Sequence, residues 1–275
     1  MVVNFSQVKK NLQTLYKQHN INEKSEQDWL FSHVLKLDRA KLFTVEEITK
    51  KEHNKIQKIA NKRVKGIPLS KIIKNCNFYG NDFLVNKNVL TPRQETEILV
   101  EKVINDYKNT KNISILDLCT GSGIIAVTLK KYLQAEITAS DISNKALKVA
   151  KKNAKSNKVK LSFLKSDLFN KINKKYDVIV CNPPYIKSSK INSLQTEVKN
   201  HDPLIALDGG VTGLNFYKKI IKNAPQNLSK SGRIYLELGK GQHKQVAKML
   251  ENRFKDINII KDYNNIERIV YATKK

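Results

Sequence analysis

The stretch from residue 113 to residue 129 limits the fold more than any other part of the chain. Ile113-Ser114-Ile115-Leu116-Asp117-Leu118 has the composition of a buried strand, and it runs directly into Cys119-Thr120-Gly121-Ser122-Gly123 and then the helical run Ile124-Ile125-Ala126-Val127-Thr128-Leu129. Strand, glycine turn and helix in that order open an α/β unit. Glycine serves such a turn in two ways: the chain must reverse sharply, and its backbone must come close to a ligand with no Cβ in the way. The loop is not followed by Lys-Ser or Lys-Thr, which excludes a P-loop. Two later strand ends also carry carboxylates. Residues 136–140 run into Asp141, 24 residues beyond Asp117, where a carboxylate can accept both hydroxyls of a ribose. A turn residue ahead of a helix starting near Ser143 is the plainer alternative. Residues 160–165 run into Ser166-Asp167-Leu168, where Asp167 can accept from an adenine amine and Leu168 can cover the ring, or where both simply turn the chain.

A fourth strand pattern, Asp177-Val178-Ile179-Val180-Cys181, ends on Asn182-Pro183-Pro184-Tyr185. This tetrapeptide has the parts needed to methylate a planar nitrogen. The lone pair of an amide or aromatic amine is delocalised, so both N–H hydrogens must be held while the nitrogen is drawn towards tetrahedral geometry. The Asn182 side-chain oxygen can accept one hydrogen, and the Pro183 carbonyl, released from sheet pairing by the proline that follows, can accept the other. The Tyr185 ring can stack on the flat acceptor group. On its own the tetrapeptide can equally be a strand stopped by two prolines. In sequence, the four loops resemble those of class I S-adenosylmethionine-dependent methyltransferases. That resemblance implies a Rossmann-like, mostly parallel sheet with helices on both faces and all four loops at the carboxyl ends of its strands.

The rest of the chain divides in two. Residues 1–76 show helical periodicity, with Val8, Leu12, Leu15 and Tyr16, then Trp29, Leu30, His33, Val34 and Leu37, as candidate core positions of a small all-α domain. Residues 77–90 read as a β-hairpin linker turning at Asn86-Lys87-Asn88, and residues 91–275 as the catalytic domain. The start is no signal peptide and no apolar run can span a bilayer, so a cytosolic protein with no membrane contact is expected. Three scattered cysteines and five histidines suggest neither a disulfide framework nor a metal site. The net charge of +26 comes from 51 basic residues of which only six are arginines. Lysines on solvated faces, as AT-rich codons would supply them, account for this, and no specific nucleic-acid partner is expected.

Nearly end to end the sequence resembles the peptide chain release factor glutamine N5-methyltransferase family. The resemblance rests on the helical N-terminal part, the hairpin, Thr91-Pro92-Arg93-Gln94-Glu95-Thr96-Glu97, the glycine loop and Asn182 to Tyr185, then Asn200 to Gly210, Thr212-Gly213-Leu214, Leu236-Glu237-Leu238-Gly239 and Lys261 to Arg268. It implies S-adenosylmethionine as cofactor, held by Asp117, Cys119, Thr120, Gly121, Ser122, Gly123, Asp141, Asp167, Leu168 and Asn182. It implies a release-factor glutamine as acceptor, with Asn182, Pro183 and Tyr185 catalytic and with Pro184, Arg93 and Thr96 also facing the substrate. A monomer is expected, with the helical domain recognising the protein substrate. Two positions depart from the family pattern: Cys119 replaces a glycine, and Gln94 replaces a proline. Thr91, Pro92 and Gln94 also have capping-box spacing, which is the local alternative for that segment. A nucleic-acid amino-methyltransferase uses the same tetrapeptide and is the competing reading, although no target-recognition region is evident. A non-catalytic binding module is the third.

Overall fold

The computed structural model describes residues 1–21 and 24–275. It divides into two compact units, Met1–Lys74 and Asn75–Lys275. In the first, strand β1 (Val2–Asn4) leads into helix α1 (Phe5–Gln18), followed by α2 (Lys24–Leu35), β2 (Glu47–Thr49), α3 (Lys50–Arg63) and α4 (Leu69–Ile73). Asn4 caps α1 by accepting from the Gln7 amide, and Thr49 with Glu52 forms a reciprocal capping box at the start of α3. Phe5, Val8, Leu12 and Tyr16 fall on one face of α1 and pack with Leu30, Phe31, Val34, Ile56 and Ile59. Each such side chain contributes about 1.5–3 kcal/mol on burial. Leu15, Trp29 and Leu37 pack at the edge of this core. The expected all-α domain needs one correction: β1 and β2 pair antiparallel, Val2 with Thr49. Strands of three residues are too short to carry a period-2 signal in sequence.

The second unit opens with β3 (Cys76–Phe78) and β4 (Asn81–Phe83), a hairpin with Phe78 opposite Asn81. Its turn is Tyr79-Gly80 and not the expected Asn86-Lys87-Asn88. Tyr79 and Gly80 both have positive φ, +49° and +70°, as a two-residue hairpin turn of matching twist requires. Asn86 instead makes a separate turn, its side chain accepting from the Asn88 amide.

Alternating elements follow: α5 (Glu95–Tyr107), β5 (Ile113–Leu118), α6 (Ile124–Tyr132), β6 (Ala135–Asp141), α7 (Asn144–Ser156), β7 (Ser162–Lys165), β8 (Tyr176–Cys181), α8 (Thr196–His201), α9 (Asn215–Asn227), β9 (Leu228–Glu237), α10 (His243–Leu250), β10 (Phe254–Lys261) and β11 (Glu267–Lys274). They build one seven-stranded sheet in the order β10-β11-β9-β8-β5-β6-β7, parallel throughout except for β11, which is antiparallel to both neighbours.

Both faces are covered, which is why the central strands β5 and β8 are apolar at most positions. Ile113, Ile115, Val178, Val180 and Tyr235 pack with α5 and α6, whereas Leu116, Leu118, Ile179, Cys181, Ile234 and Leu236 pack with α9 and α10. By the same alternation Asp117, Asn182 and Glu237 belong to the α5–α6 face. Among the described residues no lysine is buried, so the large positive charge lies on solvated surface. None of their helices is long and apolar enough to cross a membrane.

Candidate active site

The glycine loop leaves β5 at the sheet's carboxyl edge. Cys119 takes a left-handed φ of +58°, and the Thr120 amide bonds back to the Ser140 carbonyl at 2.9 Å. The Thr120 hydroxyl donates to Asp117 Oδ2 at 2.5 Å, and the Ala126 amide reaches the same oxygen at 3.2 Å. Gly123 (φ +80°) sits where α6 crosses α7: a Cβ there would stand 2.9 Å from the Ala150 Cβ. Ser122 is buried, and its carbonyl accepts from Asn153, whose amide also ties Leu84 to the loop region.

Burial raises the Asp117 pKa to about 7 against the help of Thr120 and Ala126. Its Oδ1 is buried with no hydrogen-bond partner, and a Cβ added at Gly121 would meet only the Cys119 carbonyl oxygen, at 3.9 Å. A buried acceptor next to this glycine turn fits a bound group that brings a cationic or N–H donor. The second strand end is used differently from the simplest expectation. Asp141 Oδ2 accepts from the Gly121 amide at 2.9 Å and Oδ1 from the Ser143 amide at 2.8 Å, so the carboxylate braces the loop and the start of α7. Ser143 is the N-cap of α7, as the sequence suggests. Burial again raises the Asp141 pKa. The Asp167–Leu168 turn is tied to this site by the Ser166 amide on the Asp141 carbonyl. Asp167 itself is exposed. Together with Leu168 it also lines a polar groove of about 630 Å³ that includes Lys174, Lys219 and Asn223 but neither the glycine loop nor Asn182.

Cys119 allows a direct check on the one departure within this loop. A left-handed residue with a Cβ costs about 1 kcal/mol, partly offset by the extra chain entropy a glycine carries when unfolded. Cys119→Gly is expected to raise stability by about 0.5 kcal/mol, read as a higher urea midpoint at constant m; a lower midpoint would show that the thiol's packing outweighs the strain.

Asn182 to Tyr185 begins where the β8 ladder ends. Cys181 lies beside Leu236 of β9, which places Asn182 next to Glu237. Thr96, in the first turn of α5, enters between them. Asn182 Nδ2 donates to Thr96 Oγ1 at 3.2 Å, and the Thr96 hydroxyl donates to Glu237 Oε2 at 2.7 Å. Thr96 is only 1% exposed, which corrects the expectation that it faces a substrate: it lies beneath Asn182. The Tyr185 hydroxyl makes a long contact of 3.5 Å to Glu237 Oε1. The loop carrying Tyr185 is clamped from outside. Gln242 Nε2 donates to the Tyr185 carbonyl at 3.0 Å, Gly209 bonds to Ile186, and Gly213 (φ +73°) packs so close that a Cβ would stand 2.6 Å from the Tyr185 carbonyl oxygen. Pro183 and Pro184 are buried, and Asn182 and Tyr185 are half-buried.

The expected capping box at Thr91 is absent. Gln94 precedes α5 without a side-chain cap, while the Thr91 amide and hydroxyl both bond to Asp202 Oδ1, at 3.0 and 2.9 Å. Arg93 pairs with Asp202 Oδ2 at 3.2 Å, its side chain 41% exposed. A long-range carboxylate outcompetes the local cap because it satisfies two donors of Thr91 and one of Arg93 together. Glu95 does lie in the first turn and faces Arg268, which is also bound by Asp262 at 2.8 Å. Sequence reasoning thus missed Asp202, Gln242 and above all Glu237. A lone carboxylate inside the apolar run Ile234-Tyr235-Leu236-Glu237-Leu238 was the available signal.

Residues 93–200 match the methyltransferase small domain and residues 12–73 the PrmC N-terminal domain. A release factor glutamine methyltransferase of Thermodesulfovibrio yellowstonii is 44% identical over 262 residues, 93% of each chain. One from Fusobacterium nucleatum is 38% identical over 273 residues, 96% of this chain and 77% of that one. Among solved structures, a methyltransferase from Pyrococcus furiosus matches 74% of this chain and 93% of its own with a TM-score of 0.56 at 17% identity. A 16S rRNA methyltransferase of Thermus thermophilus in complex with AdoMet and guanosine covers 73% of this chain and 50% of its own, with a TM-score of 0.54 at 17% identity. Likeness at that identity speaks for the fold alone, whereas the sequence relatives match across both units, and on that ground the chain belongs to the release factor glutamine methyltransferase family.

Proposed function

We propose that the protein transfers a methyl group from S-adenosylmethionine to the side-chain amide nitrogen of the glutamine in the Gly-Gly-Gln loop of class 1 release factors, in support of translation termination. One observation carries the reading furthest: Asn182 commits its NH2 to Thr96, which leaves its Oδ1 as the outward acceptor that a substrate amide requires. The Pro183 carbonyl, beyond the end of the β8 ladder, is the second acceptor.

The cofactor supplies an electrophilic methyl on a positively charged sulfur. Asp117, Asp141, Asp167, Leu168, Asn182 and the loop from Cys119 to Gly123 would hold it, with the unpartnered Asp117 Oδ1 available to a donor of the bound group. Displacement spreads positive charge onto the acceptor nitrogen, so Asn182 Oδ1 and the Pro183 carbonyl, fixed in place beforehand, stabilise the charge as it grows. No strong base is needed before attack, and the surplus N–H proton leaves afterwards to one of these acceptors or to water. Tyr185, whose loop is clamped by Gln242 and Gly213, presents a ring for the planar amide. Arg93, partly exposed beside this loop, is assigned to the mouth of the site, and the helical N-terminal unit to recognition of the release factor. We expect a cytosolic monomer.

The test is transfer of label from the radioactive cofactor. A release factor should accept the label, and the same protein with its loop glutamine replaced by alanine should not. Label on the alanine variant, or on nucleic acid in preference to the release factor, would overturn this reading.

A further inference from the structure

Three polar side chains from three elements meet in line, and the reaction described above uses only the outermost, Asn182. Beneath it lie Thr96 and Glu237, 1% and 2% exposed. A carboxylate can only accept, and a hydroxyl has a single hydrogen to give. With that hydrogen committed to Glu237 at 2.7 Å, Thr96 can only accept from Asn182, at 3.2 Å. Asn182 must then turn its NH2 inward and its Oδ1 outward. The two ends of an asparagine amide are nearly the same in shape, so packing alone does not choose between them.

The geometry points to Glu237 as a positioning residue: acting through Thr96, with a weaker direct contact from the Asn182 amide beside it, it fixes which end of the Asn182 amide faces the acceptor, and so makes the site select a nitrogen that carries hydrogens. This inference rests on the functional reading above.

This carboxylate stands in an apolar stretch of β9. Leu236 and Leu238 on either side are 0% exposed, and burial opposes the charge of Glu237, raising its pKa to about 7. The neighbouring groups act in both directions. Thr96, Arg268 of β11 and Asn182 favour the ionised form, and Glu95 of α5 opposes it, while Tyr185, Tyr217 and Cys181 are themselves held protonated partly by Glu237. A protonated Glu237 can donate to Thr96, which frees the Thr96 hydrogen for the Asn182 oxygen and lets the amide turn over. The transfer rate therefore falls as pH drops through the Glu237 midpoint.

The experiment compares Thr96→Val, Thr96→Ser and Glu237→Gln with the parent chain. Thr96→Val should lower kcat by about tenfold to a hundredfold while KM for the release factor and cofactor affinity by calorimetry stay within about threefold. Thr96→Ser, which keeps the hydroxyl, should recover most of the rate. Adding Thr96→Val to Asn182→Ala should cost nothing further, since the path runs through Asn182. Glu237→Gln should lose the acid limb of the pH–rate profile while its thermal midpoint at mildly alkaline pH is unchanged or raised, because a buried charge has been removed. A readout free of turnover is the Asn182 side-chain amide resonance, assigned by its loss in Asn182→Ala: it should titrate with Glu237 in the parent and stay fixed in Glu237→Gln. An unchanged kcat in Thr96→Val, a rate loss that tracks lost stability, or an Asn182 resonance that titrates equally in Glu237→Gln would overturn the assignment. Should the parent methylate nucleic acid and not the release factor, the functional reading fails, and the same rates and resonance measured with that acceptor still decide the role of Glu237.

Discussion

Asn182→Ala should slow single-turnover methyl transfer by about a hundredfold to a thousandfold, the cost of losing one preorganised group that stabilises developing charge. The substitution removes one of two acceptors for the substrate N–H hydrogens and leaves the other, the Pro183 carbonyl, in place. It also leaves the Thr96 hydroxyl satisfied by Glu237, so no buried donor is orphaned and the fold should hold. The glycine loop and its brace from Asp141 lie on β5 and β6 and do not depend on Asn182, so cofactor affinity should change far less than the rate. Tyr185→Phe, which keeps the ring and loses only a long contact to Glu237, should stay within about threefold of the parent rate, while Tyr185→Ala should be much slower. Near-normal turnover by Asn182→Ala in rapid-quench measurements would remove the side chain from the mechanism.

Asp141→Ala should weaken cofactor binding by about tenfold or more, since each charge-assisted hydrogen bond to a ribose hydroxyl is worth roughly 1.5–3 kcal/mol before compensation. Here the structure adds a second effect. Both carboxylate oxygens already accept loop amides, from Gly121 and Ser143, so the alanine leaves two partly buried N–H groups without a partner and should also lower stability by about 1–2 kcal/mol. Asp141→Asn separates the two effects, because its single acceptor oxygen can keep the Gly121 bond while the charge is lost. Titration calorimetry on all three proteins is the measurement. Affinity of both variants within about twofold of the parent would reduce Asp141 to a loop brace.

Much of this was legible in the chain, for identifiable reasons. The strands Ile113–Leu118 and Tyr176–Cys181 carry nearly unbroken apolar runs because helices cover both faces of a parallel sheet, and each ends where glycine or proline forbids its continuation. The order of the four strand-end loops follows from the same local signals. Thr96, by contrast, sits in a segment whose local spacing suggests a cap, yet Asp202, more than a hundred residues away, captures Thr91 and Arg93 and leaves Thr96 to bridge two strands. Asn-Lys-Asn carries the residues usual in turns, yet the hairpin turns at Tyr79-Gly80, which supplies the two positive-φ positions that the pairing of Cys76 with Phe83 needs.

What the sequence determined by itself is what depends on near neighbours: the alternation of strands and helices, the sharp turn at Gly121 and Gly123, and the two acceptors at Asn182 and Pro183. Only the tertiary structure decided how those acceptors are aimed. The parallel register of Cys181 beside Leu236 sets Asn182 next to Glu237, and the first turn of α5 brings Thr96 between them. The physical reason is range: backbone torsions and side-chain period are properties of a few consecutive residues, whereas the direction of a buried hydrogen bond depends on which donors and acceptors three distant segments bring to one point.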